Sequence, residues 1–285
     1  MSVINTNVNS LFAQSALKTN ARAQAVAMQQ LSTGLRVNNA KDDAAGLAIG
    51  QTMTSQVKGL GMAIRNANDG INMMQTAEGA MVEQTNMLQR MRELAVQAAN
   101  GTYSSKQRAY LQDEFTALGS QIDSIAHQTT WNGQKLLDVT SNIGASHSAG
   151  SFDFQVGQNE SQLISVKIDT PMTMSGLAAD LSAVIDDALL SASAGSTTIT
   201  ALDGAMDTIN AMRAKIGAGI NRLTYAVDNL TNVSANIQAS RSTIMDTDYA
   251  TASTQLSKTQ IIQQAATAML AQANQQPQAV LSLLK

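Results

Sequence analysis

The sequence predicts a mainly α fold: a long-helix bundle or coiled-coil rod carrying one β-hairpin, with paired N- and C-terminal helices. Three observations carry this. Apolar residues recur at three- and four-residue spacing over long stretches. Aromatics make up 3% of the chain, so the apolar load falls on Ala, Leu, Ile, Val and 15 Met, side chains that let long helices pack closely. The chain holds 2 prolines in 285 residues. Proline interrupts helix interiors, so Pro171 and Pro277 are expected at element boundaries.

The first element expected is a helix within residues 2–33, with Ile4, Val8, Leu11, Ala16 (or Phe12), Val26 and Leu31 as its apolar positions and Lys18 and Arg22 as its only charges. Residues 249–285 mirror it, with Leu256, Ile262, Ala266, Met269 and Ala273 on one face and Lys258 and Lys285 the only charges. Each stripe is too thin to make a core alone, so each end needs the other or a neighbouring molecule. An outer face without charge favours burial in an assembly.

Between the ends, 44–99 reads as one helix, roughly 80 Å long at about 1.5 Å per residue. Asn100-Gly101 stops it. A second helix follows from Ser104 or Ser105 to about Thr129; Ser105 with Arg108 is not a capping box. A third covers 198–240 through Leu202, Ile209, Met212, Ile216, Leu223, Val227, Leu230, Val233 and Ile237. The three are expected to share a coiled-coil-like seam. Alternation in Phe152 to Val156 and Leu163 to Ile168 around a Gly157-Gln158-Asn159-Glu160 turn predicts the hairpin, placed within about 134–170. Residues 141–150 and 191–198, rich in Ser, Gly, Ala and Thr, read as exposed loops. Residues 175–191 read as one short helix through Leu177, Leu181, Ile185 and Leu189.

Composition excludes several functions. A net charge of −3 with 14% charged residues offers no basic stripe for nucleic acid. Zero cysteines exclude disulfides and thiolate metal sites. No run of about 18 apolar residues marks a membrane span, and the first 16 residues lack the layout of a signal peptide, so export would need another route. His127 and His147 are the only histidines; the first reads as a half-buried helix residue and the second as a loop residue. No catalytic, cofactor or metal site is expected. Asp186-Asp187 reads as a solvated face. Trp131 reads as an anchor where helix meets hairpin. Met73, Met74, Met81, Met87 and Met91 read as core or inter-subunit packing.

Several blocks together resemble bacterial flagellins. They are Val3 to Asn7, Gln30 to Asn38, Ala40 to Gly46, Leu88 to Gln97, Thr129 to Leu137 and Phe154 to Gly157. At the C-terminal end they are Asp246 to Ala250, Ala271 to Pro277 and Leu281 to Leu284. The resemblance spans roughly 1–170 and 200–285. It implies a structural subunit, not an enzyme, exported by the flagellar type III route and assembled outside the cell into a filament for motility. Only 171–197 stand where many members insert large outer domains, so a short form is implied.

The resemblance further implies an inner tube domain of residues 1–45 and 241–285, a helical rod domain of 46–240, and a spoke at 38–46 with Lys41, Asp42 and Asp43. Those three charges pair across subunits in that reading; an exposed loop with a helix N-cap at Asp42 or Asp43 is the plainer one. Ile4, Val8, Leu11, Leu31, Leu256, Ile262, Met269, Leu281, Leu283 and Leu284 would carry assembly. The implied partners are further copies of the chain, an export chaperone at the C-terminal segment, the filament cap and the hook-junction proteins. A host flagellin-sensing Toll-like receptor would meet Gln89, Arg90, Leu94 and Glu114, with Arg90 a charged anchor and Leu94 an apolar contact. Packing between subunits is the alternative use of that patch. A hook–filament junction protein or another secreted rod protein of the flagellar or injectisome class is the competing identity. The complete Gln-Arg-Met-Arg-Glu-Leu block at 89–94 favours flagellin.

Overall fold

The computed structural model describes residues 7–138, 150–177, 189 and 191–282, with backbone only at 192–194 and 276–282. The elements in order are α1 (Val8–Thr33), α2 (Ala44–Ala99), α3 (Ser105–Gln128), β1 (Thr130–Trp131), β2 (Gln134–Lys135), β3 (Ser151–Gln155), β4 (Leu163–Lys167), α4 (Met174–Leu177), α5 (Ala192–Met245) and α6 (Tyr249–Ser282). Two compact units share these elements: residues 1–57 with 235–285, and residues 58–234. The unit boundaries fall inside α2 and α5, further from the chain ends than the domain limits of 45 and 241 that the resemblance implies. Early α2 and late α5 belong to the first unit because they touch: a Cβ at Gly50 would meet the Met245 side chain, and Arg241 donates to the Thr54 hydroxyl at 3.4 Å.

The second unit is built on heptads. Buried positions on α2 run Leu60, Ala63, Ala67, Gly70, Met74, Ala77, Met81, Gln84, Leu88, Met91, Ala95, Ala98, an alternation of threes and fours without a break. Helix α5 does the same with Gly195, Thr198, Leu202, Ala205, Ile209, Met212, Ile216, Gly219 and Leu223, and α3 with Gln112, Phe115, Gly119, Ile122 and Ala126. A 3.5-residue repeat keeps one stripe facing its partners along the whole helix. The methionines enter this seam: Met73, Met74, Met81 and Met91 are buried and Met87 packs at its margin. Trp131 packs against the same core, as its anchoring role requires.

The β3–β4 hairpin pairs Ser151 with Lys167 through Gln155 with Leu163. Glycines seat it on the helices. A Cβ at Gly70 would lie 2.8 Å from the Phe154 ring, and one at Gly219 2.8 Å from a Val166 methyl. Glycine is the residue that admits those side chains at the helix surface.

Four findings correct or extend the sequence reading. Ser105 and Arg108 form no capping box, as expected, but helix α3 has one a residue earlier, at Ser104 and Gln107. The Ser104 hydroxyl accepts from Gln107 N–H, and the Gln107 side chain accepts from Ser104 N–H. Residues 192–198 are helical, not loop, because Gly195 and Thr198 are seam positions where small size lets α5 approach α2. At Gly195 an added Cβ would lie 3.2 Å from the Ala95 carbonyl oxygen. A second, minimal hairpin exists: β1 pairs with β2 around Asn132 and Gly133, whose φ values of 50° and 78° suit a two-residue turn with both residues left-handed. Finally, Pro277 lies inside α6 and does not end it. The expected loop at 141–150 and short helix at 175–191 fall mostly outside the described residues, as do His147, Leu181, Ile185 and Asp186-Asp187. Leu177 and Leu189, at the edges of that stretch, are buried in the core.

Gln84 is the polar residue at the centre of the α2 stripe. Its side-chain amide donates to the Met172 carbonyl at 2.9 Å and the Ile122 carbonyl at 3.3 Å, tying α3 and the chain before α4 to α2. Gln84→Ala removes the donor and leaves a void. The expected outcome is a loss of about 1–3 kcal/mol of unfolding free energy, measured by denaturant titration. A wild-type midpoint would show that the amide bonds contribute nothing net.

Candidate functional site

In the first unit, α1 and α6 pack side by side and antiparallel, with Asn7 near Ala273 and Asn20 near Thr259. Two asparagines fix that register. The Asn20 amide donates to the Thr259 carbonyl at 2.7 Å from a buried position, and a buried polar group at one seam position specifies alignment. The Asn7 amide donates to the Ala273 carbonyl at 2.8 Å. That carbonyl stands four residues before Pro277, which has no N–H to give it. A side chain from the other end of the chain therefore supplies the bond that proline removes, and the helix continues. Asn7 also caps α1, its Oδ1 accepting from Ser10 N–H.

The chain between α1 and α2 is tied to the α5–α6 junction. Gly34 ends α1 in the left-handed conformation at φ 72° and accepts at its carbonyl from Thr247 N–H. Arg36 N–H and its guanidinium donate to the Met245 and Ile244 carbonyls. Asp43 caps α2 by accepting from Gly46 N–H at 2.8 Å, while Asp42 accepts from the Asn38 and Asn39 N–H groups. Both aspartates are thus committed to local backbone, and Lys41 is exposed. Asp248 opens α6. The Thr251 hydroxyl, then the Ala250 and Thr251 N–H groups, hold its carboxyl below the usual carboxylate range.

The pair leaves much apolar surface uncovered. Phe12 is 72% exposed, Met269 67% and Ile261 66%, and Val8, Leu11, Met28 and Ile262 are exposed as well. Open grooves of about 570 and 480 Å³ run along the pair, one between Phe12, Thr19, Lys258 and Ile262 and the other between Phe12, Ala266 and Met269. Of the residues read from the sequence for assembly, Val8, Leu11, Ile262 and Met269 are exposed, while Leu31 and Leu256 are half-buried. Ile4, Leu283, Leu284 and the Leu281 side chain lie outside the described residues. Phe12, the alternative to Ala16 on the α1 stripe, is exposed as well, whereas Met28 and Ile261 were missed. They stand off the single stripe that periodicity picks out, and only a helix apolar on several faces reveals them.

The second unit carries a charged patch. Arg90 bonds Glu114 at 2.9 Å and Glu93 at 3.0 Å, and these two carboxylates, Glu93 first, raise its guanidinium above the ordinary value. Gln89 is exposed beside it. Arg92 pairs with Asp203 at 2.7 Å, which raises its guanidinium too. Leu94 does not join the patch. It is 1% exposed and belongs to the core, because it flanks the seam positions Met91 and Ala95. Its expected role as an apolar surface contact is corrected accordingly. Asp138 escaped notice in the sequence. It is fully buried and receives His127 Nδ1 at 2.8 Å and Lys135 Nζ at 3.0 Å, fastening the small hairpin to the end of α3.

The chain matches the family models for the bacterial flagellin N-terminal helical region over residues 4–142 and the C-terminal helical region over 199–284. It is 42% identical over 283 residues to a flagellin of Halalkalibacterium halodurans, covering 99% of this chain and 100% of the relative. It is 40% identical over 302 residues to a flagellin of Bacillus subtilis, covering 99% of each. It is 40% identical over 288 residues to the flagellar filament 33 kDa core protein of Treponema phagedenis, covering 99% of this chain and 100% of that one.

Proposed function

This chain belongs to the bacterial flagellin family and is a structural subunit of the flagellar filament, and we propose that its paired terminal helices form the filament's inner tube domain while the heptad unit forms the helical rod domain. The observation that carries this is the apolar surface of the α1–α6 pair. Its exposed Phe12, Ile261 and Met269 stand on helices with almost no charge. Fully burying each such side chain is worth about 1.5–3 kcal/mol, and neighbouring copies supply that burial. The 38–46 segment acts as the spoke between tube and rod, with Lys41 free to meet an acidic group of a neighbouring subunit while Asp42 and Asp43 hold the turn.

The remaining partners follow from this role. The subunit leaves the cell through the flagellar type III route, and lacking cysteine it crosses without oxidative cross-linking. An export chaperone covers the C-terminal segment until then. The filament cap and hook-junction proteins bind the same terminal helices that neighbouring subunits do. The monomer is recognised by a host Toll-like receptor at Gln89, Arg90 and Glu114.

Seeded growth tests the central claim. Purified subunit added to short filament seeds should extend them, as seen by electron microscopy. Hydrogen exchange should rise in protection over residues 8–33 and 250–275 on assembly, with 60–98 and 202–223 protected beforehand. Full protection of the terminal helices in a verified monomer would show that they need no neighbours.

A further inference from the structure

We propose that the Asn100-Gly101 peptide, in the turn between α2 and α3, is a site of spontaneous deamidation promoted by Arg108. Both residues of the turn are exposed, and a Cβ at Gly101 would meet nothing within 4 Å. The Asn100 Oδ1 accepts from Thr102 N–H at 3.2 Å. The ring closed by that bond contains the Gly101 nitrogen, so the side-chain carbonyl carbon is kept within reach of it. No hydrogen bond of the described residues engages Gly101 N–H.

Arg108 supplies the activation. Its Nη2 donates to the Asn100 carbonyl at 3.0 Å, the carbonyl of the very peptide whose nitrogen must react. Its Nε is anchored on the Ala98 carbonyl at 2.9 Å, and Tyr103 N–H adds a weaker bond to Asn100 at 3.4 Å. A charged donor on a peptide oxygen draws electron density from the adjoining nitrogen and acidifies its N–H. Holding the two reacting groups together supplies the rest.

The step balances with water alone. Gly101 nitrogen gives its proton to solvent and bonds to Asn100 Cγ. The side-chain nitrogen takes a proton from water and leaves as ammonia, closing a five-membered imide. A second water opens the imide at either carbonyl, giving an α-linked or a β-linked aspartyl residue. The new carboxylate stands at the C-terminal end of α2 beside Arg108, and the β-linked product lengthens the turn by one methylene.

The same chain contains its own control. Asn132-Gly133 has the same dipeptide, but its two left-handed residues are clamped between paired strands, Trp131 against Gln134 and Thr130 against Lys135. Closing an imide there requires rotation about the Asn132 backbone that the pairing resists.

The test is peptide mapping by mass spectrometry after incubating the full-length monomer in mildly alkaline buffer, native and urea-unfolded, with an isoaspartyl methyltransferase to mark the β-linked product. Native Asn100 should convert several-fold faster than native Asn132, and at least as fast as Asn100 in the unfolded chain. Asn132 should be slowed several-fold by folding. Arg108→Gln should lower the native-to-unfolded rate ratio at Asn100 and leave that at Asn132 alone. Protection of Asn100 by folding, or equal native rates at the two sites, would overturn the proposal. An unchanged Asn100 ratio in Arg108→Gln, with Asn132 still protected, would overturn the part given to Arg108. If that variant loses Asn132 protection it has unfolded, and the wild-type comparison decides.

Discussion

Deleting residues 250–285 should abolish filament growth completely while leaving a folded protein. The deletion removes all of α6 but its first residue, and with it the exposed Ile261, Ile262 and Met269. Three apolar side chains at about 1.5–3 kcal/mol each amount to roughly 5 kcal/mol or more per subunit, more than a thousandfold in subunit affinity. The loss does not end there. Asn20 and Asn7 lose their acceptors on Thr259 and Ala273, so α1 has no partner to fix its register. The heptad unit is untouched, because its buried seam runs from Leu60 to Leu223 and the unit ends at residue 234. Circular dichroism should show a cooperative melt close to the full-length protein's, and electron microscopy with seeds should show no extension. A truncated chain that grows long filaments would mean that α1 and the heptad unit suffice for assembly.

The long helices were legible because each carries its signal on its own sequence. The limits of α2, Ala44–Ala99, follow from the Asp43 cap on one side and Asn100-Gly101 on the other, both local chemistry. The hairpin was legible for the same reason, as alternation over five residues in each strand. What escaped depended on distant partners or on small residues. Gly195 and Thr198 look like loop until α2 is placed against them. Pro277 looks like a helix end until Asn7 is found on the orphaned Ala273 carbonyl, 266 residues from it in sequence. At the charged patch, Arg90 and Glu114, which the resemblance named for receptor recognition, bond each other directly. The resemblance placed Leu94 on the surface, although Leu94 is inside. A motif carried by resemblance names residues without saying which face of a helix they occupy, and the three-four alternation through Met91, Ala95 and Ala98 was the signal that would have turned Leu94 inward.

The burial of Leu94 separates two variants expected to behave alike. Arg90→Ala should cut activation of the flagellin-sensing Toll-like receptor by monomer tens-fold, since loss of a central arginine anchor typically costs about 2 kcal/mol or more of binding. It should hardly alter folding, because Arg90 is half exposed in its pairs with Glu93 and Glu114 and such pairs are worth about 0–1 kcal/mol. Glu114→Ala should weaken activation less, because Glu93 still holds the guanidinium in place. Leu94→Ala acts through the core. Truncating a buried leucine costs about 2–5 kcal/mol of stability, so its midpoint of unfolding should fall while a folded fraction at low temperature keeps near wild-type potency. A reporter-cell dose response run beside a denaturant melt distinguishes the cases: potency lost at full stability for Arg90→Ala, stability lost at retained potency for Leu94→Ala. An Arg90→Ala monomer as potent as wild type would remove the receptor assignment and leave filament assembly untouched. If cross-linked filaments signal as strongly as monomer, the patch faces solvent in the polymer; if they are silent, neighbouring subunits cover Arg90 and its two carboxylates, and packing is the use the bacterium makes of them.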